Sequence, residues 1–347
     1  MKRSNRRFFA GLTVAIATIL QGCAPRVATS FWRIGTPADS TKAGYAVLHE
    51  GNKVRHCYPV TEWTDSLPSL QGGVGGRRDT YHSFHHHGVA VESEQMAYRI
   101  YFDKKQTIDI YCKRTPRLEL ATSYWYPDDS LLALGYGDDI LRVSGTVGVG
   151  SVKYWNGKKH VHIAPVAERS QRIVRQSRNE ATIEVADKGW LIEGKNVDMT
   201  VQYTLRAGHR DMRCDVTLSE SVQGLCTGVQ SIPAKGANHT SHCTHHTLPN
   251  GTLLVSFGTD WPVNDTVKYA KETVGLAVFI PNEYAGEWVQ DQSNNLCLLR
   301  TLPLREGQGV GLHFYLTCVG ATKEEHPVAT NASEWIDYLR RWAATLK

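Results

Sequence analysis

"MAYRIYFDKKQTIDIYCK", residues 96–113, contains two stretches in which apolar and polar residues alternate, joined by a short polar segment at 103–106. Alternation with a period of two is typical of a β-strand whose two faces meet different surroundings. Two such stretches joined by a polar turn predict an antiparallel hairpin. The polar face of this hairpin would present, side by side, Arg99, Tyr101, Asp109, Tyr111 and Lys113. Tyrosines with polar tips suit a surface that stacks on a sugar ring and forms hydrogen bonds with it.

Alternating segments of the same kind continue towards the C-terminus, among them "RLELATSYWY", "DILRVSG", "ATIEVA", "DMTVQYTLRA" and "VGLHFYLTCVG". Strands this numerous, without long helical segments between them, predict an all-β sandwich. The exception is "ASEWIDYLRRWAATLK", residues 332–347, in which the large apolar residues recur every three or four positions. This spacing predicts a C-terminal amphipathic helix that packs on the domain, with Ser333 as its N-cap.

The N-terminus has the pattern of an export signal. Four basic residues precede an apolar stretch at 8–20, which is too short to span a bilayer. The stretch ends in "LQGC", which fits a lipoprotein box and predicts cleavage before Cys23 and lipidation of its thiol. An ordinary secretory signal is the alternative. We expect a signal peptide at 1–22, a tether at 23–44 and a single β-domain at 45–347.

The charge balance argues against a nucleic-acid partner. Without residues 1–22 the chain keeps 35 Lys and Arg against 34 Asp and Glu, so the basic character belongs mostly to the signal. Seven cysteines follow Cys23. Because seven is odd, at least one of them has no intramolecular disulfide partner.

Four of the fifteen histidines lie within residues 82–87, directly before the hairpin. Adjacent histidines on an extended chain point to opposite sides, so only His85 and His87 of the consecutive three could share a site. Proton transfer requires only a single neutral histidine beside a cleft, whereas a metal site requires several ligands that converge on one point. We therefore predict His85 and His87 as proton-transfer groups and no cofactor, with a divalent cation at this stretch as the alternative.

Three other segments carry ionisable side chains at strand entrances or in loops. "GYGDDILRV" places Asp139 where a carboxylate can project into a cleft, and "AGHRDMRCDV" supplies His209 and Arg210. "GTDWPVNDTVKYAKETVGLAVFIP" is rich in polar and aromatic groups ahead of a strand, which is a common setting for a site. From it we assign Lys271 and Glu272 to catalysis. We predict as substrate-binding residues Asp109, Tyr111, Lys113, Trp125, Tyr126, Trp261, Asp265 and Lys268.

A resemblance to a known family rests on six segments in this order: "HHHGVAVES", "MAYRIYFDKKQTIDIYCK", "SYWYP", "GYGDDILRVSGTVGVG", "GHRDM" and "DWPVNDTVKYAKETVGLAV". Together they resemble domain of unknown function 4861, over residues 45–343. The resemblance implies a large antiparallel supersandwich similar to galactose mutarotase and several polysaccharide lyases. It also implies a polysaccharide-degrading Gram-negative bacterium, with the protein lipid-anchored at the outer membrane or in the periplasm. Family members usually carry Gly at the position of Cys112, so this chain places an extra side chain at a tight spot.

Two classes of function fit these features. In the first, the protein is an enzyme acting on uronate-containing plant or algal polysaccharide fragments. A lyase would use Arg99 or Arg210 to neutralise the uronate carboxylate and His87, Tyr101 or His209 to remove the C5 proton.

A mutarotase-like or epimerase-like enzyme would instead pair a histidine as acid with Asp139 or Glu272 as base. The second class is a non-catalytic, membrane-tethered glycan-binding protein. Trp125, Tyr126 and Trp261 would then supply its binding platform.

Overall fold

The computed structural model describes residues 28–29, 32–34, 45–49, 53–57, 85–120, 123, 126–177, 179–233 and 243–346. Before residue 86 only the backbone is described, which applies to His85 as well. The predicted signal peptide, the lipidation site at Cys23 and Trp125 lie outside the described residues.

The described chain forms 22 strands and two α-helices. The first eleven strands are β1 Ala28–Thr29, β2 Trp32–Ile34, β3 Tyr45–His49, β4 Lys53–Cys57, β5 Gly88–Glu92, β6 Met96–Tyr101, β7 Ile108–Cys112, β8 Asp138–Asp139, β9 Lys153–Trp155, β10 His160–Val161 and β11 Glu168–Gln176. The others are β12 Glu180–Ile192, β13 Lys195–Arg206, β14 Met212–Leu218, β15 Leu225–Gln230, β16 Thr244–Leu248, β17 Gly251–Asp260, β18 Glu272–Pro281, β19 Ala285–Gln290, β20 Asn294–Leu299, β21 Leu302–Pro303 and β22 Val310–Gly320. The helices are α1 Asp129–Ala133 and α2 Ala332–Thr345, and His85–His87 form a 3₁₀ turn.

Three antiparallel sheets make up most of the fold. The large sheet has the order β16-β17-β18-β22-β14-β13-β12-β11-β2, with β21 paired to β22. The hairpin sheet has the order β1-β5-β6-β7-β8, and the side sheet has the order β10-β9-β15-β20-β19. β3 and β4 pair only with each other. The predicted all-β sandwich is confirmed, and Ala28–Thr29 and Trp32–Ile34 pair with strands of two different sheets.

Apolar side chains from all three sheets meet in one core. Tyr98 and Ile100 of β6 pack there with Val201 of β13 and Val229 of β15, all of them fully or almost fully buried. Because successive side chains on a strand point to opposite faces, burial of Tyr98 and Ile100 puts Arg99 and Tyr101 on the other face of the hairpin sheet.

That other face is covered by the chain between β7 and β8. "RLELATSYWY" was expected to be a strand, but its described residues form turns and irregular structure. The backbone amides of Glu119 and Leu120 donate to the carboxylate of Glu92 at 2.8 and 3.0 Å, so a buried side chain replaces a neighbouring strand as their partner. Lys113 forms an ion pair with the same carboxylate.

"DILRVSG" also differs from its prediction, because only Asp138–Asp139 form a strand and residues 140–144 are irregular. The chain then passes between the hairpin and side sheets. Gly148 and Gly150 adopt φ of +57° and +74°, and a Cβ on Gly148 would overlap the carbonyl oxygen of Ile108. Close approach of strands therefore requires glycine at these two positions, whereas Gly145 has open space around it.

Helix α2 packs on the outer face of the large sheet, as its spacing predicted. Trp335, Leu339 and Trp342 are buried there against Phe279 of β18 and its neighbours. The N-cap is Asn331 and not Ser333, because the Asn331 side chain accepts a hydrogen bond from the amide of Glu334 at 3.1 Å. In the part of the chain that the structure describes, neither helix has the length and apolar character needed to cross a membrane.

Cys112 is accommodated because Gly320 lies against it. A Cβ on Gly320 would overlap Sγ of Cys112 and would come within 2.9 Å of Cδ1 of Ile140. Cys112 is also a free thiol, as are the other cysteines whose side chains the structure describes. The Cys112 side chain thus fills space that a glycine on β22 leaves open.

We predict energetic coupling between Cys112 and Gly320. Gly320→Ala should lower the free energy of unfolding by about 1–3 kcal/mol, because the added methyl group overpacks the core. In a Cys112→Gly background the same change should cost less, with a coupling free energy of roughly 0.5–3 kcal/mol. Urea unfolding of the wild type, both single variants and the double variant measures this coupling. Strictly additive effects would contradict the proposed contact.

Candidate functional site

A cleft of about 260 Å³ opens at the end of the hairpin sheet. Its volume lies just below the roughly 300–1,000 Å³ typical of small-molecule sites. The cleft is lined by Tyr101, Lys105, Tyr126, Asp139, Leu141, Arg142, Val143, Ser144, Pro262, Val263 and Asn264.

A buried ion cluster lies beneath the floor of this cleft. The guanidinium of Arg99, 0% exposed, donates to Oδ2 of Asp109 at 2.6 Å and to Oδ2 of Asp139 at 2.5 Å. The pairing register places Arg99 opposite Asp109, and it places Asp139 opposite Tyr111, two residues further along β7. The cluster therefore ties together β6, β7 and β8.

Aromatic rings surround the guanidinium. The hydroxyl of Tyr101 donates to Oδ2 of Asp109 at 2.7 Å, and the ring centre of Tyr126 lies 5.5 Å from Cζ of Arg99. His87, 1% exposed, lies beside both tyrosines, with ring centres 5.8 Å from Tyr101 and 5.9 Å from Tyr126. Of the two histidines predicted for proton transfer, His87 therefore lies under the cleft and reaches it through Tyr101.

The histidine stretch forms a tight turn and not the extended chain that the prediction assumed. His86 and His87 have φ of 56° and 61°, and such left-handed conformations cost about 1–3 kcal/mol per residue. The turn is held by Nε2 of His86, 2.7 Å from the carbonyl oxygen of Leu120, and by the amide of Phe102, which donates to the carbonyl of His87 at 2.9 Å. The turn fixes the His87 ring at the start of β5.

The surroundings of Asp139 favour its protonated form. Burial raises its pKa well above the ordinary value, the negative charge of Asp109 raises it further, and Arg99 opposes both effects. For Arg99, burial acts to lower the pKa, but Asp109 and Asp139 outweigh it and the pKa is raised. The site thus combines a permanent buried cation with a carboxyl group that can give or take a proton.

Two cations, Lys105 and Arg142, line the cleft. Nζ of Lys105 lies 3.2 Å from the carbonyl oxygen of Ser144 and 3.9 Å from Oδ2 of Asp103. The guanidinium of Arg142 donates to Oδ1 of Asn264 at 3.2 Å, and a second nitrogen lies 3.5 Å from Oδ2 of Asp260. Both side chains are partly open to solvent.

The predicted residues at the entrance of β14 lie elsewhere. Arg210 is buried in a bidentate pair with Glu324, at 3.0 Å for both bonds, and its carbonyl accepts a hydrogen bond from Tyr98. Since Tyr98 and Arg99 point to opposite faces of β6, the hairpin sheet separates Arg210 from the cleft. His209 is largely exposed and its Nδ1 lies 3.1 Å from Asp211.

The loop before β18 reaches the cleft through Pro262, Val263 and Asn264, and not through the residues predicted from it. Lys271 lies over the ring of Trp261, and Glu272 forms a salt bridge with Lys323 at 3.0 Å. Asp265 accepts two backbone amides of its own turn, and Lys268 pairs with Asp129 at 3.2 Å.

Two predicted binding residues, Tyr111 on β7 and Lys113 beside it, are buried and do not line the cleft. The Tyr111 hydroxyl donates to the carbonyl of Gly137 at 3.0 Å beneath the covering segment. Lys113 is buried with Glu92, as described above. The polar face of the hairpin was predicted correctly as one set of side chains, but of its five members only Tyr101 lines the cleft.

The sequence reasoning missed Lys105 and Arg142. Lys105 lies in the polar segment that was interpreted only as a turn, and Arg142 lies three residues after Asp139 in a segment interpreted as a strand. Proximity to Asp139 along the chain was the available signal for Arg142. Among the described side chains, no group of three or more His, Cys, Asp and Glu is arranged to hold a metal ion.

Comparison with known proteins identifies one family. The family model described as domain of unknown function (DUF4861) matches residues 60–347. A search of curated proteins found no match to the chain.

We predict that Asp139 makes stability fall as pH rises. Native Asp139 holds its proton at pH values where an unfolded Asp, with a pKa of about 3.9, has lost it. The folded state then binds more protons, so the contribution is complete below about pH 4 and is lost as pH rises through the raised pKa. The unfolding free energy of the wild type minus that of Asp139→Asn should decrease with pH, by at most about 1.4 kcal/mol per unit.

Urea unfolding at several pH values between about 4 and 8 measures this difference. The exposed carboxylate of Asp129 on α1 provides the control, and Asp129→Asn should follow the wild-type curve. A wild-type advantage that grows with pH would mean that the ionised form of Asp139 is the one stabilised by Arg99.

Proposed function

We propose, from the premise that the chain belongs to the family described as domain of unknown function (DUF4861), that its cleft binds a saccharide and transfers protons on it. The protein would be an exported lipoprotein held by Cys23, acting in a lyase-like or an epimerase- or mutarotase-like way. Its substrate would be a uronate-containing fragment of plant or algal polysaccharide.

The observation that supports this function best is the position of Asp139 and Tyr101 on one cleft, joined beneath it through Arg99 and Asp109. General acid–base catalysis needs one group that gives a proton and another that takes one, both within reach of the bound substrate. Burial raises the pKa of Asp139 well above its ordinary value, which favours the protonated form that can give a proton. Tyr101 can take a proton on its oxygen while its own proton passes to Asp109, to which it already donates.

Either reaction type can use this pair. In β-elimination, Tyr101 would take the C5 proton, the C5–H electrons would form the C4–C5 double bond, and the departing C4 oxygen would receive the proton of Asp139. In mutarotation, Asp139 would protonate the ring oxygen while Tyr101 takes the proton of the anomeric hydroxyl, so that the bond between C1 and the ring oxygen breaks and C1 becomes a carbonyl. Reclosure on the other face of that carbonyl reverses the two proton transfers. Tyr126 beside Tyr101 offers an aromatic ring with a polar tip, which suits a sugar.

Arg99 has a different role in this proposal from the one that its sequence position indicated. Its side chain is fully buried and bonded to two carboxylates, so it positions Asp139 and does not meet the substrate. Arg210 and His209 are remote from the cleft, which leaves the acid–base pair to Asp139 and Tyr101.

We predict that Asp139→Asn and Tyr101→Phe each lower turnover at least about 100-fold, the usual contribution of a general acid or base. The purified protein would be incubated with pectic, ulvan-type and arabinogalactan oligosaccharides. Ultraviolet absorbance detects the unsaturated uronate of a lyase, product mass detects cleavage, and NMR detects epimerisation or mutarotation.

The matched control is Asp138→Asn, because Asp138 is the neighbouring carboxylate on β8 and points to the other face of the strand. It should keep wild-type turnover. Binding of a saccharide without turnover in any of the three assays would favour the glycan-binding protein over the enzyme. Loss of turnover in all three variants alike would indicate a structural effect.

A further inference from the structure

The proposed reaction leaves one group of the substrate without a partner. A proton at C5 of a uronate is acidic because of the adjacent carboxylate, and removing it develops negative charge on that carboxylate. A protein that uses this chemistry places a cation at the carboxylate. Arg99 cannot serve, since it is fully buried and bonded to Asp109 and Asp139.

Lys105 and Arg142 are the only cations among the described residues that line the cleft. Their side chains are 30% and 37% exposed, whereas that of Arg99 is 0% exposed. The cleft is therefore lined by two positive groups that are partly open to solvent.

The present partners of both cations leave donors available. The near partner of Nζ of Lys105 is a neutral carbonyl at 3.2 Å, and the carboxylate of Asp103 is 3.9 Å away. Oδ1 of Asp103 already accepts the amides of Lys105 and Gln106 at 2.8 and 3.1 Å. An ammonium group has three donors, so two remain for a ligand.

Arg142 is similar. Its shortest side-chain bond is to the neutral amide of Asn264, and its carboxylate neighbour Asp260 lies at 3.5 Å in a partly exposed pair. Exposed pairs of this kind contribute about 0–1 kcal/mol, so a ligand can compete with them. The planar guanidinium has five donors and matches the two oxygens of a carboxylate.

We propose that Lys105 and Arg142 together bind the carboxylate of the sugar in the cleft and so make the site selective for uronates. This inference rests on the proposed saccharide function and names the residues that make the site prefer an acidic sugar to a neutral one. The carbonyl of Ser144, two residues after Arg142, accepts a hydrogen bond from Lys105, and Asn264 accepts one from Arg142, while Asp139 and Tyr101 line the same cleft. The carboxylate of the sugar would then contact Lys105 and Arg142, while the reacting carbon lies beside Asp139 and Tyr101.

Equilibrium binding tests this proposal. The probes are galacturonate-, glucuronate- and mannuronate-containing oligosaccharides, each with its carboxyl-reduced, neutral counterpart. Calorimetry would use the Tyr101→Phe background so that the ligand is not consumed. Into it we would introduce Lys105→Gln and Arg142→Gln, with Lys104→Gln as the matched control from the same turn, because Lys104 does not line the cleft.

We expect at least one acidic oligosaccharide to bind about tenfold or more tightly than its neutral counterpart, as hydrogen bonds to charged groups predict. Lys105→Gln and Arg142→Gln should each lower the affinity for the acidic oligosaccharide about tenfold. The affinity for its neutral counterpart should not change. Lys104→Gln should change neither. Added salt should weaken only the acidic ligand.

Equal affinity for the acidic and neutral forms would overturn the inference while leaving the saccharide function standing. If both variants lose the same affinity for the acidic and the neutral oligosaccharides, the inference is overturned as well. The two side chains would then affect the shape of the cleft and would not select for the charge of the ligand. If no member of either series binds, the proposed function fails and this inference fails with it. Thermal melting of every variant shows whether a lost affinity reflects unfolding.

Discussion

The pairing of Arg99 with Asp109 and Asp139 is the interaction on which the site depends. A buried guanidinium is tolerated only when carboxylates and hydrogen bonds replace the water that it has lost. Here the two carboxylates come from β7 and from β8. The requirement to satisfy one buried cation therefore fixes three strands relative to each other and brings Asp139 to the cleft.

The segment that covers the hairpin sheet is also held by a buried charged group whose hydrogen bonds are satisfied within the protein. Glu92 is buried and has a raised pKa, caused by burial and opposed by Lys113. Its carboxylate takes up the amides of Glu119 and Leu120, which belong to a segment without a neighbouring strand. The covering segment can thus lie on a sheet without joining it, and Tyr126 of the same segment lines the cleft.

The charged side chains of the site fall into two groups, one buried and one partly exposed, and the two groups have different roles. The buried ones are bonded to each other, and they set geometry and protonation. Lys105 and Arg142, which line the cleft, form their shortest hydrogen bonds to the neutral oxygens of Ser144 and Asn264, and the carboxylates of Asp103 and Asp260 lie 3.9 and 3.5 Å away. A site that selects a charged ligand needs cations that are fixed in position but only weakly paired, and the proposed uronate selectivity follows from this difference.

The sequence by itself determined the all-β class, the C-terminal helix and the membership of Arg99, Tyr101 and Asp109 in one face, because the period of a strand or helix is local. It could not show that this face is covered, since the partners of Glu92 lie 27 and 28 residues away. Nor could it separate Arg210 from the cleft or show that Lys105 and Arg142 line it. Which ionisable groups are buried and which stay open to a ligand was decided only by tertiary packing, because desolvation depends on what other parts of the chain place above each side chain.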